Sequence, residues 1–252
     1  MLSLSQLHVL RTDELQLVLQ RLPAGARVLE VGAGTGWQAK MLAERGCTVT
    51  AIDLPQSNHA SARVFPVIDY DGKRIPFEDK RFDVVFSSNV LAHVPDLEML
   101  HSEIRRVLVP GGFCLHSLPT TSWRLWTSLA AVPAALRYVS RHWRDMLPRP
   151  LLLSSQEVKR LLRAWWRLFV IIASPLRALG ARGNGITELW LFRAHWWKRN
   201  FAQNGFDVIA DYPMKLFYTG HMILAERCSL KTRRRLARCF GSSCRLYEVR
   251  PR

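Results

Sequence analysis

The chain alternates between short, continuous apolar runs and longer stretches in which apolar residues recur every three or four positions. Runs of the first kind lie at 28–31, 48–52, 64–68, 82–86 and 113–118, each bounded by glycine, proline or acidic residues. Apolar runs of this length predict strands buried on both faces, as in a parallel sheet. The helical period occupies the intervals. A helix is predicted over 13–22, with Asp13 and Gln16 at capping-box spacing and Pro23-Ala24-Gly25 as its stop. Another runs over 37–45 and ends at Gly46. A third, capped by Asp96, carries Leu97, Leu100, Ile104, Val107 and Leu108 on one face. The interval between Asp53 and Val64 is too short for a full crossover helix. A later helix is predicted over 187–204, with Trp190, Ala194, Trp197 and Phe201 as its stripe and Gly205 as its end. Two closing strands then follow at 206–211 and 217–225.

The first strand ends in Glu30-Val31-Gly32-Ala33-Gly34-Thr35-Gly36, with glycines at every second position. Glycines between a buried strand and a helix let backbone approach a ligand closely, and the helix N-terminus adds N–H donors. Asp53 stands at the end of the second strand, 17 residues after Gly36. An acidic side chain there can accept from both hydroxyls of a ribose. Trp37 occupies the place where a dinucleotide fingerprint needs its third glycine, which argues against NAD. Glu30, at the tip of the first strand, suits a cationic ligand better than a phosphate.

In these residues the chain resembles the class I S-adenosylmethionine-dependent methyltransferases, in particular a broad bacterial group of methyltransferase type 11. The resemblance rests on Glu30 to Gly36, Asp71 to Phe77 with Ile75 in place of Leu, Phe82 to Val85, Leu91 to Val94, and Arg106 to Gly112. It covers residues 26–117 closely and 186–226 loosely. It implies an α/β fold with a Rossmann-like seven-stranded sheet, helices on both faces and a helical insertion after the fifth strand. It implies S-adenosyl-L-methionine as cofactor, bound by Glu30, Gly32, Ala33, Gly34, Gly36, Asp53, Leu54, Asp71, Gly72, Ser88 and Asn89. Asp71-Gly72 is also a common turn dipeptide, and Asp69 competes for its role. Methyl transfer from a sulfonium needs alignment above all, with a base only if the acceptor holds its proton tightly. His93 matches a family histidine and is the catalytic candidate; capping of the following helix is its alternative role. His195, His221 and Tyr218 are further candidates. No histidine, cysteine and carboxylate cluster has metal-ligand spacing, so no metal is expected.

Composition adds a location to this chemistry. The net charge of the 252 residues is +16, and it is unevenly spread: residues 121–182 hold 11 Lys/Arg against 2 Asp/Glu, and residues 227–252 hold 9 against 1. The core is therefore close to neutral. Four segments follow: a cofactor-binding core (1–119), a basic, tryptophan-rich lid (120–185), the completion of the core (186–226) and a basic tail (227–252). The lid contains Trp123, Trp126, Trp143, Trp165 and Trp166, and its apolar runs at 125–136 and 168–176 are broken by Pro133 and Pro175. Both are shorter than the ~18 residues of a spanning helix. Arginine and tryptophan on short apolar helices suit in-plane attachment to an anionic membrane. A packed lid and an RNA-binding surface are the alternatives. The five cysteines form no C-x-x-C pair, which fits reduced thiols. Met1 to Leu10 lacks the pattern of a signal peptide. The expectation is a methyltransferase, cytoplasmic and peripheral on the inner face of the cell membrane, acting on a lipid-linked, amphiphilic or glycan-type acceptor, with RNA methylation or non-catalytic binding as the other readings.

Overall fold

The computed structural model describes residues 4–57, 60–148, 154–220 and 228–252. Its centre is one seven-stranded sheet. In chain order the strands are β1 (Arg27–Val31), β2 (Thr48–Asp53), β3 (Val67–Asp69), β4 (Phe82–Ser88), β5 (Leu108–Pro119), β6 (Phe206–Pro213) and β7 (Cys244–Pro251). Their order across the sheet is β3-β2-β1-β4-β5-β7-β6. The first five pair in parallel; β7 runs antiparallel to both β5 and β6. Alternation along β1 sends Val28 to one face and Leu29 to the other, so each face needs a helical cover.

One cover consists of α1 (Leu4–Leu19) and α2 (Trp37–Glu44), which bury Leu10, Leu15, Val18 and Leu42 against Val28, Val84 and Phe86. The opposite cover consists of α3 (Leu97–Val107) and, later in the chain, the helix Ala194–Gln203. Leu100, Ile104 and Val107 pack there with Trp197 and Phe201 against Leu29, Val85 and Val249. Asp96 caps α3 as expected, its Oδ1 accepting from Met99 N at 2.9 Å.

Between β5 and β6 lie α4 (Thr121–Leu129), α5 (Ala131–His142), α6 (Ser155–Ala173), α7 (Glu188–Leu191) and α8 (Ala194–Gln203). The helix predicted over 187–204 is thus two helices. Arg193 takes an extended ψ of 142°, and the break buries Phe192 while leaving Trp190 exposed. At the other end of the chain, α1 begins well before Asp13, whose carboxylate pairs with Arg234 instead of capping a helix. β3 is shorter than predicted, because Val64 N donates to Thr35 O and leaves the ladder.

The closing strand differs most. Residues 217–220 are not strand, and 221–225 lie outside the described residues. The seventh strand comes from the segment read as a basic tail, which instead forms α9 (Leu230–Phe240) and β7. Cys244, Leu246, Tyr247 and Val249 are buried between helical covers, while Arg245 pairs with Asp211 across the ladder.

Candidate active site

Every turn at the carboxyl end of β1 is set by glycine. Gly32, Gly34 and Gly36 have φ of 72°, 58° and 72°, a region costly for any residue with a Cβ. A Cβ on Gly32 would overlap Val90, and one on Gly36 would lie 2.8 Å from Phe65 Cβ. Gly32 N and Ala33 N donate to Ile52 O (2.8 and 3.1 Å), which ties the loop to β2. Asp53, at the end of β2, accepts from Gly34 N (2.9 Å) and Leu54 N (2.8 Å).

These residues wall a cavity of about 410 Å³ at the carboxyl edge of the sheet. Of the sequence-predicted set, Gly32, Ala33, Gly34, Asp53, Leu54, Gly72, Ser88, Asn89 and His93 line it. Glu30, Gly36 and Asp71 do not line it. Glu30 is buried behind the loop, where burial pushes its carboxyl up to about 8 against the pull of the Ala39 N–H, with Asp53 adding to the rise. Its Oε2 is buried without a hydrogen-bond partner among the described residues. Asp71 turns outward and accepts from Lys73 N (2.8 Å) and Arg74 N (3.0 Å), contacts that hold its carboxyl below the usual range. The turn role of Asp71-Gly72 is therefore the one realised, and Tyr70 and Gly72 supply the wall beside it.

Further wall residues come from α1, where Leu7, His8 and Arg11 reach the cavity. His8 stacks on Trp37, with ring centroids 4.4 Å apart and planes 3° from parallel. The Trp37 indole donates to Thr12 Oγ1 at 3.1 Å, so it wedges α1 against the glycine loop. No motif marks these positions. An earlier start of α1, at Leu4, is the signal that would have carried them.

A second cavity, about 160 Å³, meets the first at Arg11, Asn89 and His93. His93 sits on a 3-10 turn (Leu91–His93) between β4 and α3. Its ring opens to solvent at the cavity mouth. Crowding by protein on its other sides lowers its pKa; Glu188 opposes that shift and Arg182 adds to it. The shift favours the neutral imidazole, the form that can accept a proton. Tyr218 is buried in the wall of the smaller cavity, its hydroxyl donating to Glu14 Oε1 at 2.9 Å. His195 is exposed on α8 and lines neither cavity, and His221 lies outside the described residues.

Residues 29–116 match a family described as a methyltransferase domain. Over these residues the chain is similar to S-adenosylmethionine-dependent methyltransferases. A malonyl-acyl-carrier protein O-methyltransferase of Enterobacter lignolyticus is 32% identical over 155 residues, 55% of this chain and 61% of its own length. A sterol 24-C-methyltransferase of Gibberella zeae is 33% identical over 99 residues, 35% of this chain and 26% of its own length. The chain spans about half the length of the curated relatives it matches. A solved S-adenosylmethionine-dependent methyltransferase from Mesorhizobium loti shares the fold, with a TM-score of 0.53 at 18% identity over 96% of this chain and 99% of that one.

S-adenosylmethionine is the cofactor of this methyltransferase family, and the larger cavity fits it. Gly32, Ala33 and Gly34 line its floor, and Asp53 offers a carboxylate at the position suited to ribose hydroxyls. Among the described residues no group of three or more histidine, cysteine or carboxylate side chains could hold a metal ion.

Proposed function

We propose that the chain is an S-adenosylmethionine-dependent methyltransferase that acts at the cytoplasmic face of the membrane on a lipid-linked, amphiphilic or glycan-type acceptor. The cofactor, when bound, supplies an electrophilic methyl group whose sulfur leaves neutral. The chain then has three tasks: to hold the cofactor on the glycine loop and Asp53, to align the acceptor in the adjoining cavity, and to accept a proton at His93 where the acceptor carries one.

One observation carries the membrane part. On α6, Leu162, Trp165, Trp166, Phe169 and Ile172 recur at helical spacing and are each between 55% and 65% exposed. Val132 and Leu136 of α5 are exposed as well. An apolar stripe of this size on a water-facing helix marks an interaction surface. Lys159, Arg163 and Arg167 flank it on the same helix, the pairing that suits indoles at headgroup depth and guanidinium groups on anionic lipid. A packed lid would have buried these tryptophans. Among the described residues no helix is long and apolar enough to cross a membrane. One relative is named for a sterol, an apolar body with one polar group, which supports an amphiphilic acceptor.

Flotation with liposomes tests the reading. The protein should float with anionic vesicles at low salt and be released only in part at high salt, and extracts of cells containing it should show a lipid-phase species heavier by one methylene. Failure to float with any vesicle, together with salt-steep binding to RNA, would put the RNA reading in its place.

A further inference from the structure

The smaller cavity has two unlike ends. Toward α4 and α7 its walls are Pro119, Trp123, Leu179 and Phe192, all apolar; toward the larger cavity they are Arg11, Asn89, His93 and Tyr218. A ligand filling it would be apolar at one end and polar where it meets the cofactor cavity.

The charge at the polar end has a definite sign. Arg11 donates from Nη1 to Glu14 Oε2 at 2.6 Å, and Tyr218 OH donates to Glu14 Oε1 at 2.9 Å. Both oxygens of Glu14 are thereby engaged, and its side chain is only 1% exposed. The carboxylate stands behind the guanidinium and out of a ligand's reach, while the Arg11 side chain keeps 17% of its surface open. With the Asn89 amide oxygen turned toward Arg11, it accepts from Nη2 and Nη1 at 3.0 and 2.7 Å. Nη1 also donates to the Tyr218 hydroxyl at 3.4 Å, so of the five N–H donors of the guanidinium these contacts use at least three. Among the described residues lining either cavity the one carboxylate is Asp53, which lies in the larger cavity and is bonded to the glycine loop. An ammonium head group would lose its hydration in the smaller cavity and gain no anionic partner, a large cost; an oxyanion would meet Arg11.

We propose that the smaller cavity is the acceptor site and that it takes an amphiphile whose head group is an oxyanion, a carboxylate or phosphate monoester, seated against Arg11. This rests on the amphiphilic-acceptor reading above and adds the charge of the head group to it. Arg11 is then a specificity-determining residue, set from behind by Glu14 and Tyr218.

Calorimetry on the full chain saturated with S-adenosylhomocysteine tests it, with octanoate, octyl phosphate, octanol and octylammonium as probes. Octanoate and octyl phosphate should bind at least about tenfold more tightly than the alcohol or the ammonium, and their ratio tells which oxyanion the site prefers. The double variant R11M/E14Q removes the pair together and leaves no unpaired buried charge; in it octanoate and octanol should bind alike. A wild type that binds octylammonium or octanol as well as octanoate overturns the proposal, as does a preference that survives R11M/E14Q. So does a double variant that loses S-adenosylhomocysteine while keeping 5′-methylthioadenosine, since Arg11 would then serve the carboxylate of the cofactor. Flotation of the same proteins is read separately, so a failed membrane reading and a failed head-group assignment give different patterns.

Discussion

Arg124 and Glu188, both wholly buried, form an ion pair at 3.0 Å where α4 meets the loop before α7. Glu188 Oε1 also accepts from Leu179 N (2.7 Å) and Gly180 N (2.6 Å), residues that line the smaller cavity. Arg124 reaches on to Pro175 O and Arg177 O. Removing one partner of such a pair strands a charge, so Glu188→Ala should cost about 3–5 kcal/mol in urea unfolding. Glu188→Gln, which keeps an acceptor for the two N–H groups, should cost less. Equal stability of Glu188→Ala and wild type would mean that the pair does not hold this loop.

His101 and His116 lie side by side in the core, where burial pushes their pKa values down to about 4 and about 3. Both fall below the unfolded value near 6.5. The stability these groups contribute is complete above about pH 6.5 and is lost as pH falls toward 4 and 3, by up to about 1.4 kcal/mol per pH unit for each. Urea midpoints measured from pH 7 down to pH 4.5 should therefore fall steeply, and His101→Phe should flatten the slope.

Glu30 works in the opposite sense. Its folded pKa of about 8 lies above the unfolded value, so its stabilising effect is fully present below about pH 4.5 and is lost as pH rises through 8. Glu30→Gln mimics the protonated form, and its stability relative to wild type should grow between pH 4.5 and 8 by no more than about 1.4 kcal/mol per unit. A gain independent of pH would place the effect in packing.

Asp53→Ala removes a brace on Gly34 and Leu54 as well as the carboxylate offered to the ribose. S-adenosylmethionine binding should weaken by ~1.5–3 kcal/mol in calorimetry, the range for hydrogen bonds to a charged group. Tight NAD binding without S-adenosylmethionine binding would overturn the cofactor assignment.

Trp165 and Trp166 are more than half exposed, and the Trp165 indole donates to Met146 O at 3.3 Å, so the double change of both to Ala should cost no more than about 1.5 kcal/mol of stability. At high salt the same change should reduce liposome binding more than neutralising Arg235 and Arg238 on α9 does. Charge is screened under those conditions, whereas apolar burial is not.

The order of these sensitivities also shows which parts of the molecule a sequence can disclose. β1, its glycines and Asp53 were legible because close backbone approach and strand burial are local demands, written in neighbouring residues. Glu30 and Asp71 were legible as positions, and neither lines the cavity: whether a carboxylate faces a cavity depends on side-chain direction, which spacing does not give. Arg11 and His8 carried no signal, since α1 reaches the site only through packing on the sheet. β7 was hidden by Arg245, Glu248 and Arg250, whose charges read as a solvated tail until partners such as Asp211 are in place.

β6 joins the sheet only through β7, which enters between it and β5 although it is made later. Order of synthesis and order in space are thus reversed at this edge. On the ribosome, residues 206–213 have no ladder partner until residues 244–251 have emerged, and β6 must wait as an unpaired strand with Ile209 exposed. Such a delay exposes hydrogen-bonding edge to other chains. Anything that stalls or trims the polypeptide before Cys244 removes the inner strand, and with it the attachment of the one beyond.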